Sequence, residues 1–436
     1  MDREIIALLS GILAFLMSWL VQPHFRNLGF LTEIVDHPGY RRSHREPVPR
    51  TGGMAIFISF FFALFILERL ILPAPLPWSW LGILMGAGLA ILALGVGDDR
   101  FGIHAEKKLY GQLIVILGLM ILGQRLDTIV LPHFGRVVLG GWAWPFTLLW
   151  YLGFINSMNL IDGLDGLASG ISVLVLMALA AVSAAVGEFY SLIFSATLGG
   201  ATLAFFYWNI STRKIFLGDS GSMWMGLVLG TLIVHLCRQV SVTLPILLAP
   251  MVVPIWDTGT TIIRRYRKRA SIFQADDYHL HHRLVRLGFS TTAAVAFLLL
   301  ITAGTSVFAL SDFLNAPWLG LPALGCWLWG MILGASQHRR NRRVGLDAFT
   351  EILYVLGFDD RLEERLWANG RQVAEIVDLQ AERARVQRAM AAAAGSDVAP
   401  AVELAAPAGA PRIARAPARD QRHDEDVLLS TPQDFS

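Results

Sequence analysis

Apolar runs close to bilayer-spanning length alternate with short polar breaks over the first three quarters of the chain. An α-helix needs about 20 such residues to cross the hydrocarbon core. Eleven runs qualify as candidate spans: 4–22, 53–72, 79–97, 109–123, 144–158, 166–186, 191–208, 222–237, 244–263, 291–311 and 317–335. Backbone groups in lipid must be satisfied within the segment, so the pattern predicts an all-α polytopic membrane protein. The first run lacks a small-residue cleavage site after a short apolar core and reads as a retained helix rather than a signal peptide. No internal repeat is visible.

Alternation of the spans divides the connections into two sets. One holds seventeen Lys and Arg residues, among them Arg41, Arg42, Arg45, Arg50, Lys107, Lys108, Lys214, Arg264, Arg265 and Arg283. The other holds five: Arg3, Arg69, Arg125, Arg136 and Arg238. The positive-inside rule puts the first set in the cytoplasm, the N-terminus outside and the C-terminus inside. The predicted cytoplasmic loops are 23–52, 98–108, 159–165, 209–221 and 264–290; the longest outer connection is 124–143, with Pro132 and Gly135 breaking its pattern.

Residues 1–336 then form a transmembrane domain. HRRNRR at 338–343 is a basic stop that suits anionic headgroups. Residues 337–390 read as a helical cytoplasmic extension, and the Ala- and Pro-rich 391–436 as a disordered tail. The chain is 54% hydrophobic and 16% charged, against about 25% charged in soluble domains, which excludes a soluble globular protein. A net charge of +2 adds little, and nothing in the pattern points to nucleic acid. Cys237 and Cys326 both fall in spans and read as packing residues, not a disulfide framework.

Four polar motifs interrupt this background: Gly97-Asp98-Asp99, Asn159-Leu-Ile-Asp162-Gly-Leu-Asp165-Gly166, Leu217-Gly-Asp219-Ser-Gly-Ser222 and His279-Leu-His281-His282-Arg283. Threading the spans in order brings all four to the cytoplasmic face. Ionisable groups beside lipid are costly and mark functional sites. Asp98 and Asp99 repel each other unless a cation, metal or lysine, lies between them; a solvated helix end is the plain alternative. Asn159, Asp162 and Asp165 recur every third residue, as on one face of a tight helical turn, with a capping loop as the alternative. Asp219 is either an N-cap or a ligand for Mg²⁺, which takes one or two protein oxygens and completes its shell with water and phosphates. The histidine run suits phosphate oxygens better than zinc, because adjacent histidines do not easily share one metal. The loop His44-Arg45-Glu-Pro47-Val-Pro49-Arg50-Thr-Gly52-Gly53 is an electropositive turn open to an anion-contacting role.

In this order and spacing the motifs resemble the polyprenyl-phosphate N-acetylhexosamine-1-phosphate transferases over residues 20–340. HLHHRL at 279–284 resembles the WecA/TagO-like branch rather than the related MraY type, whose three histidines are consecutive. The resemblance implies transfer of a HexNAc-1-phosphate, GlcNAc-1-phosphate first, from a UDP-sugar to undecaprenyl phosphate in a bacterial inner membrane, initiating a surface polysaccharide. GalNAc, a modified HexNAc or MurNAc-pentapeptide remains open as the transferred group. It implies Mg²⁺, replaceable by Mn²⁺, on Asp219 with Asn159. It implies Asp98 and Asp99 as the acidic pair that either activates the lipid phosphate or holds the metal, and Lys108 near the phosphates. Asp162 and Asp165 would line the nucleotide pocket. His279, His281, His282, Arg283 and Arg45 would contact the sugar phosphate, and relatives would form a homodimer. A reading of another class, an anionic-lipid transporter or flippase, would place its charges near the membrane midplane.

Overall fold

The computed structural model describes residues 2–37, 46–72, 75–212, 214–267 and 279–316, with isolated positions 269, 320, 323, 325 and 355. The helices in chain order are α1 (Arg3–Leu31), α2 (Gly52–Leu70), α3 (Trp78–Phe101), α4 (Ala105–Ile121), α5 (Ala143–Ile161), α6 (Leu167–Val186), α7 (Phe189–Ile210), α8 (Gly218–Gln239), α9 (Leu244–Leu248), α10 (Val252–Arg267), α11 (Leu280–Arg286) and α12 (Thr291–Phe313). A 3₁₀ turn at Ala249–Met251, with Pro250 inside it, joins α9 to α10. Proline removes an amide donor and blocks regular helix, so this span is interrupted rather than straight.

Eight spans among the described residues are long and apolar enough to cross a membrane: α1, α2, α3, α6, α7, α8, the α9–α10 stretch and α12. The expected spans 109–123 and 144–158 form α4 and α5, which fall outside that set. The expected span 317–335, Cys326, the cytoplasmic extension and the tail lie outside the described residues, as do His44 and Arg45.

Helix α8 is the axis of the bundle, enclosed along nearly its whole length by α3, α5, α2, α6 and α7. Phe57, Phe60 and Trp224 meet where α2 crosses it. The outer layer shows the opposite pattern. On α1, Ile5, Leu8, Ile12, Leu16 and Leu20 are exposed at helical spacing while Ala7, Ala14 and Ser18 are enclosed. Apolar side chains on the open face belong to a helix whose surroundings are hydrocarbon.

Two small antiparallel pairs complete the fold. β1 (Val35–Asp36) pairs with β2 (Val48–Pro49), and β3 (Thr128–Leu131) with β4 (Gly135–Val138) in register Leu131↔Gly135. The predicted outer connection is therefore a hairpin, held at its far end by Arg136 donating to Ser241 Oγ at 3.0 Å. All five predicted cytoplasmic loops are shorter than expected: α1 runs on past Pro23 to Leu31, α3 through Asp98 and Asp99, α5 to Ile161 and α10 to Arg267, and α8 already begins at Gly218.

Candidate active site

The C-terminal ends of α3 and α5 and the N-terminal ends of α4 and α8 meet at one end of the bundle, opposite the β3–β4 hairpin. Close approach there depends on glycine. A Cβ on Gly53 would fall 2.0 Å from the Gly221 Cα, and one on Gly95 would fall 2.2 Å from the Ser220 Cα. Only glycines let α8 enter between α2 and α3 so closely. Gly218 has φ +76 and stands against Asp99 Oδ2. Backbone bonds pin the same junction: Gly52 N and Gly53 N donate to Phe216 O and Leu217 O at 3.0 and 3.1 Å, and Phe216 N to Pro49 O at 2.8 Å.

Both oxygens of Asp99 are committed to the start of α8. Oδ1 accepts from Asp219 N at 2.9 Å and Oδ2 from Ser220 N at 3.0 Å. These are first-turn amides that lack partners within their own helix, and a carboxylate is favoured at the positive end of the dipole. Asp99 thus caps α8 from a different helix. Arg50 stands 3.7 Å from Asp99 Oδ1 and also pairs with Asp36.

Asp98 turns to the other side. Its Oδ1 accepts from Ile103 N at 2.7 Å, closing the turn after α3, and its Oδ2 accepts from Lys108 Nζ at 2.7 Å. The same ammonium donates to Asp219 Oδ2 at 2.5 Å. The Asn159 amide reaches Ser222 Oγ at 2.7 Å, Asp219 Oδ1 at 3.1 Å and Lys108 Nζ at 3.1 Å; all three are satisfied with its nitrogen on Ser222 and Asp219 and its oxygen on the lysine. Oxygens from α3, α5 and α8 therefore converge on one cation. Among the described residues no three His, Cys, Asp or Glu side chains form a closed metal cage. An open set of two carboxylates and one amide oxygen suits a hard divalent cation that also keeps water and phosphate ligands.

The loop after α5 departs from the expected tight turn. The helix ends at Ile161, Asp162 follows as its C-cap, and the three oxygen-bearing residues diverge. Asn159 points to the cluster, Asp162 is half-buried beside it, and Asp165 pairs with Lys214. Burial, with the Asp219, Asp99 and Asp165 carboxylates nearby, pushes the Asp162 carboxyl up to about 8. Asn209 staples this loop to the approach of α8: its Oδ1 accepts from Gly166 N at 2.6 Å and its Nδ2 donates to Ile215 O at 3.0 Å.

The histidine motif forms a short helix, α11, rather than a loop, and it docks on the same region. His281 is buried against Gly163, where a Cβ would fall 2.1 Å from its Nε2. Burial and the neighbouring His282 push its imidazole down to about 3, so it is neutral at physiological pH. His279 and Arg283 are enclosed and His282 is half-buried. Asp257 in α10 binds His279 Nδ1 at 2.9 Å and accepts from Leu280 N at 2.6 Å.

The structure thus brings together Asp98, Asp99, Lys108, Asn159, Asp162 and Asp219, with His281 joining through Gly163; Asp165 stands to one side with Lys214. Sequence reasoning missed Asp257, Arg50 and Asn209 as parts of the site. Asp257 had a signal, a lone carboxylate inside a predicted span. Arg50 stood within a quoted motif; Asn209 gave none.

A bundle of apolar helices with carboxylates, a lysine and histidines gathered at one end defines a membrane enzyme for a charged substrate. A family model described as glycosyl transferase family 4 matches residues 80–237. The chain is 32% identical over 325 residues to a probable undecaprenyl-phosphate N-acetylglucosaminyl 1-phosphate transferase of Bacillus subtilis, covering 73% of this chain and 88% of that one. It is 32% identical over 324 residues to a decaprenyl-phosphate N-acetylglucosaminephosphotransferase of Mycolicibacterium smegmatis, covering 67% and 78%. It is 26% identical over 297 residues to the undecaprenyl-phosphate alpha-N-acetylglucosaminyl 1-phosphate transferase of Escherichia coli, covering 66% and 79%. The chain belongs to the polyprenyl-phosphate N-acetylhexosamine-1-phosphate transferase family, multi-pass membrane phosphotransferases.

Proposed function

We propose that the protein transfers GlcNAc-1-phosphate from UDP-GlcNAc to undecaprenyl phosphate at the cytoplasmic face of a bacterial inner membrane, as the first step of a surface polysaccharide. An oxygen of the lipid phosphate attacks the β-phosphorus, the bond to the α-phosphate breaks, and UMP leaves with the electron pair. The observation that carries this reading is the convergence of Asp98, Asp219 and Asn159 oxygens on the Lys108 ammonium.

Two polyanions must meet in this reaction, and the chain's own residues answer that need. Lys108 is held where phosphate oxygens would arrive, so it can lower their mutual repulsion. Asp99, with both oxygens on the α8 backbone, fixes the position of Asp219. Asp98 holds the α3–α4 turn and the lysine. A phosphate monoester is largely ionised near pH 7, so the nucleophile needs little help from a base. Asp219 and the Asn159 oxygen would hold Mg²⁺, which supplies charge neutralisation and orientation of the phosphates. Asp162 and Asp165 would line the nucleotide side, with His279, His282 and Arg283 towards the sugar phosphate; Arg45 lies outside the described residues. A homodimer is the expected assembly.

Transport of an anionic lipid is less well supported. Its ionisable groups would sit near the midplane on broken helices, whereas Asp98, Asp99, Asn159 and Asp219 stand at helix ends. The test is UMP release by purified protein with undecaprenyl phosphate and Mg²⁺, comparing UDP-GlcNAc, UDP-GalNAc and UDP-MurNAc-pentapeptide. EDTA-sensitive release with UDP-GlcNAc alone is expected. Release with only another sugar would correct the donor, and no release from folded protein would remove the reaction.

A further inference from the structure

Asp257 is a buried carboxylate that the reaction above does not use. It lies within the α9–α10 span at 2% exposure, where a lone charge is costly and persists only with partners. Both its partners belong to the segment that follows the span. Oδ2 binds His279 Nδ1 at 2.9 Å, and Oδ1 accepts from Leu280 N at 2.6 Å. His279 occupies the N-cap position of α11, but its side chain makes no capping bond, so Asp257 supplies the acceptor from another helix. α11 in turn carries His281 onto Gly163, in the loop between Asn159 and Asp165. The His279 and His281 rings lie nearly parallel, 5° apart in plane with centroids at 5.9 Å, and both His281 ring nitrogens are buried without a hydrogen-bond partner. One imidazole orientation is therefore set by a carboxylate, and its neighbour is locked against the loop that adjoins the carboxylate cluster.

We infer that Asp257 is a positioning residue: it fixes the tautomer and orientation of His279 so that Nε2 is the ring atom offered to the diphosphate of the nucleotide sugar. An ionised carboxylate only accepts, so Nδ1 must carry a proton to bind it. Nε2 is then the one remaining site, and a proton placed there gives an imidazolium whose charge the carboxylate compensates. Asparagine at 257 has nearly the same shape and still accepts from Leu280 N. Its amide, however, donates to Nδ1, which strips that nitrogen of its proton and removes the compensating charge. The structural contact survives and the electronic one is inverted, so the variant separates the two roles. This inference rests on the proposed nucleotide-sugar reaction, and one arm of the test is independent of turnover.

Steady-state kinetics in the presence of Mg²⁺ would compare wild type, Asp257→Asn, His279→Gln and the double variant, with each protein shown to be monodisperse in detergent. ¹⁵N spectra of histidine-labelled wild type and Asp257→Asn would report the tautomer. Asp257→Asn leaves a neutral Nε2–H that still donates but has lost its charge, so it is expected to raise the KM for the nucleotide sugar about tenfold, the scale that separates a charge-assisted bond from a neutral one, and to leave the KM for the lipid phosphate within about twofold. His279→Gln alone gives the same signature, and adding Asp257→Asn to it costs about twofold at most. One histidine changes from Nδ1–H to Nε2–H in Asp257→Asn. Wild-type kinetics in Asp257→Asn or His279→Gln, or a full additional loss in the double variant, would overturn the inference. An unchanged tautomer would overturn it too. Wild-type protein releasing no UMP from any donor would instead sink the reaction, and the spectra would still decide how Asp257 sets His279. Should Asp257→Asn not fold, the His279→Gln KM split and Asp257→Glu, expected to recover part of the wild-type KM, carry the test.

Discussion

Asp98, Asp99 and Asp162 bear the same functional group and meet three different fates within one site. Asp99 is consumed by the α8 backbone, Asp98 by a turn and a lysine, and Asp162 is left half-buried among other carboxylates. The sequence showed that acids gather here, because each interrupts an apolar run. It did not show their division of labour, because the partner that decides it lies far along the chain: Asp99 acts on amides about 120 residues away. Asp162 carries a testable consequence. Its carboxyl ionises near 3.8 in an unfolded chain and near 8 in the folded one. Between those values the folded state retains a proton that the unfolded state has lost, so wild-type stability falls as pH rises through that window. Asp162→Asn does not titrate. In EDTA, the melting temperature of the variant should match wild type near pH 4 and exceed it by several degrees at pH 8. A gap that does not grow with pH would contradict the assignment.

At the scale of elements, the site is a wedge: the first turn of α8 driven between α2 and α3, with α4 and α5 closing the sides. The glycines of the motifs make the wedge possible, a role hidden in sequence because close approach between distant segments has no local periodicity. Gly95 and Gly82 on α3 form a matched pair for testing it. A Cβ at Gly95 meets the α8 backbone at 2.2 Å, whereas one at Gly82 meets nothing within 4 Å. Gly95→Ala should lower stability by about 1–3 kcal/mol through overpacking and reduce UMP release at least tenfold. Gly82→Ala should leave activity intact and be neutral or stabilising by up to about 1 kcal/mol. Equal behaviour of the two in thermal and kinetic assays would refute the wedge. Helix positions were legible from apolar run length within a few residues, except that α1 continues nine residues past its expected end. Helix ends were not: α1, α3, α8 and α10 each continue into segments expected to be loops, because neither Pro23 nor polar residues that cap or line a site interrupt the helical backbone there.

For the whole molecule, order along the chain carried most of the information. Helices alternate direction, so motifs at the ends of α3 and α5 and at the starts of α4 and α8 reach one end of the bundle, as the threading of spans required. The β3–β4 hairpin at the other end was hidden, since Pro132 and Gly135 signalled only a break. The excess of Lys and Arg in the sequence falls on the connections expected at the carboxylate end, which is the basis for expecting that end in the cytoplasm. Asp219 is the residue on which this account turns, joined to Asp98 through Lys108, to Asn159 directly and to Asp99 through its backbone. The most direct test is Mg²⁺-dependent UMP release by Asp219→Asn beside wild type, with both proteins shown to be folded in membranes. Release should fall to background in the variant while folding is retained; near wild-type turnover would contradict the role of Asp219.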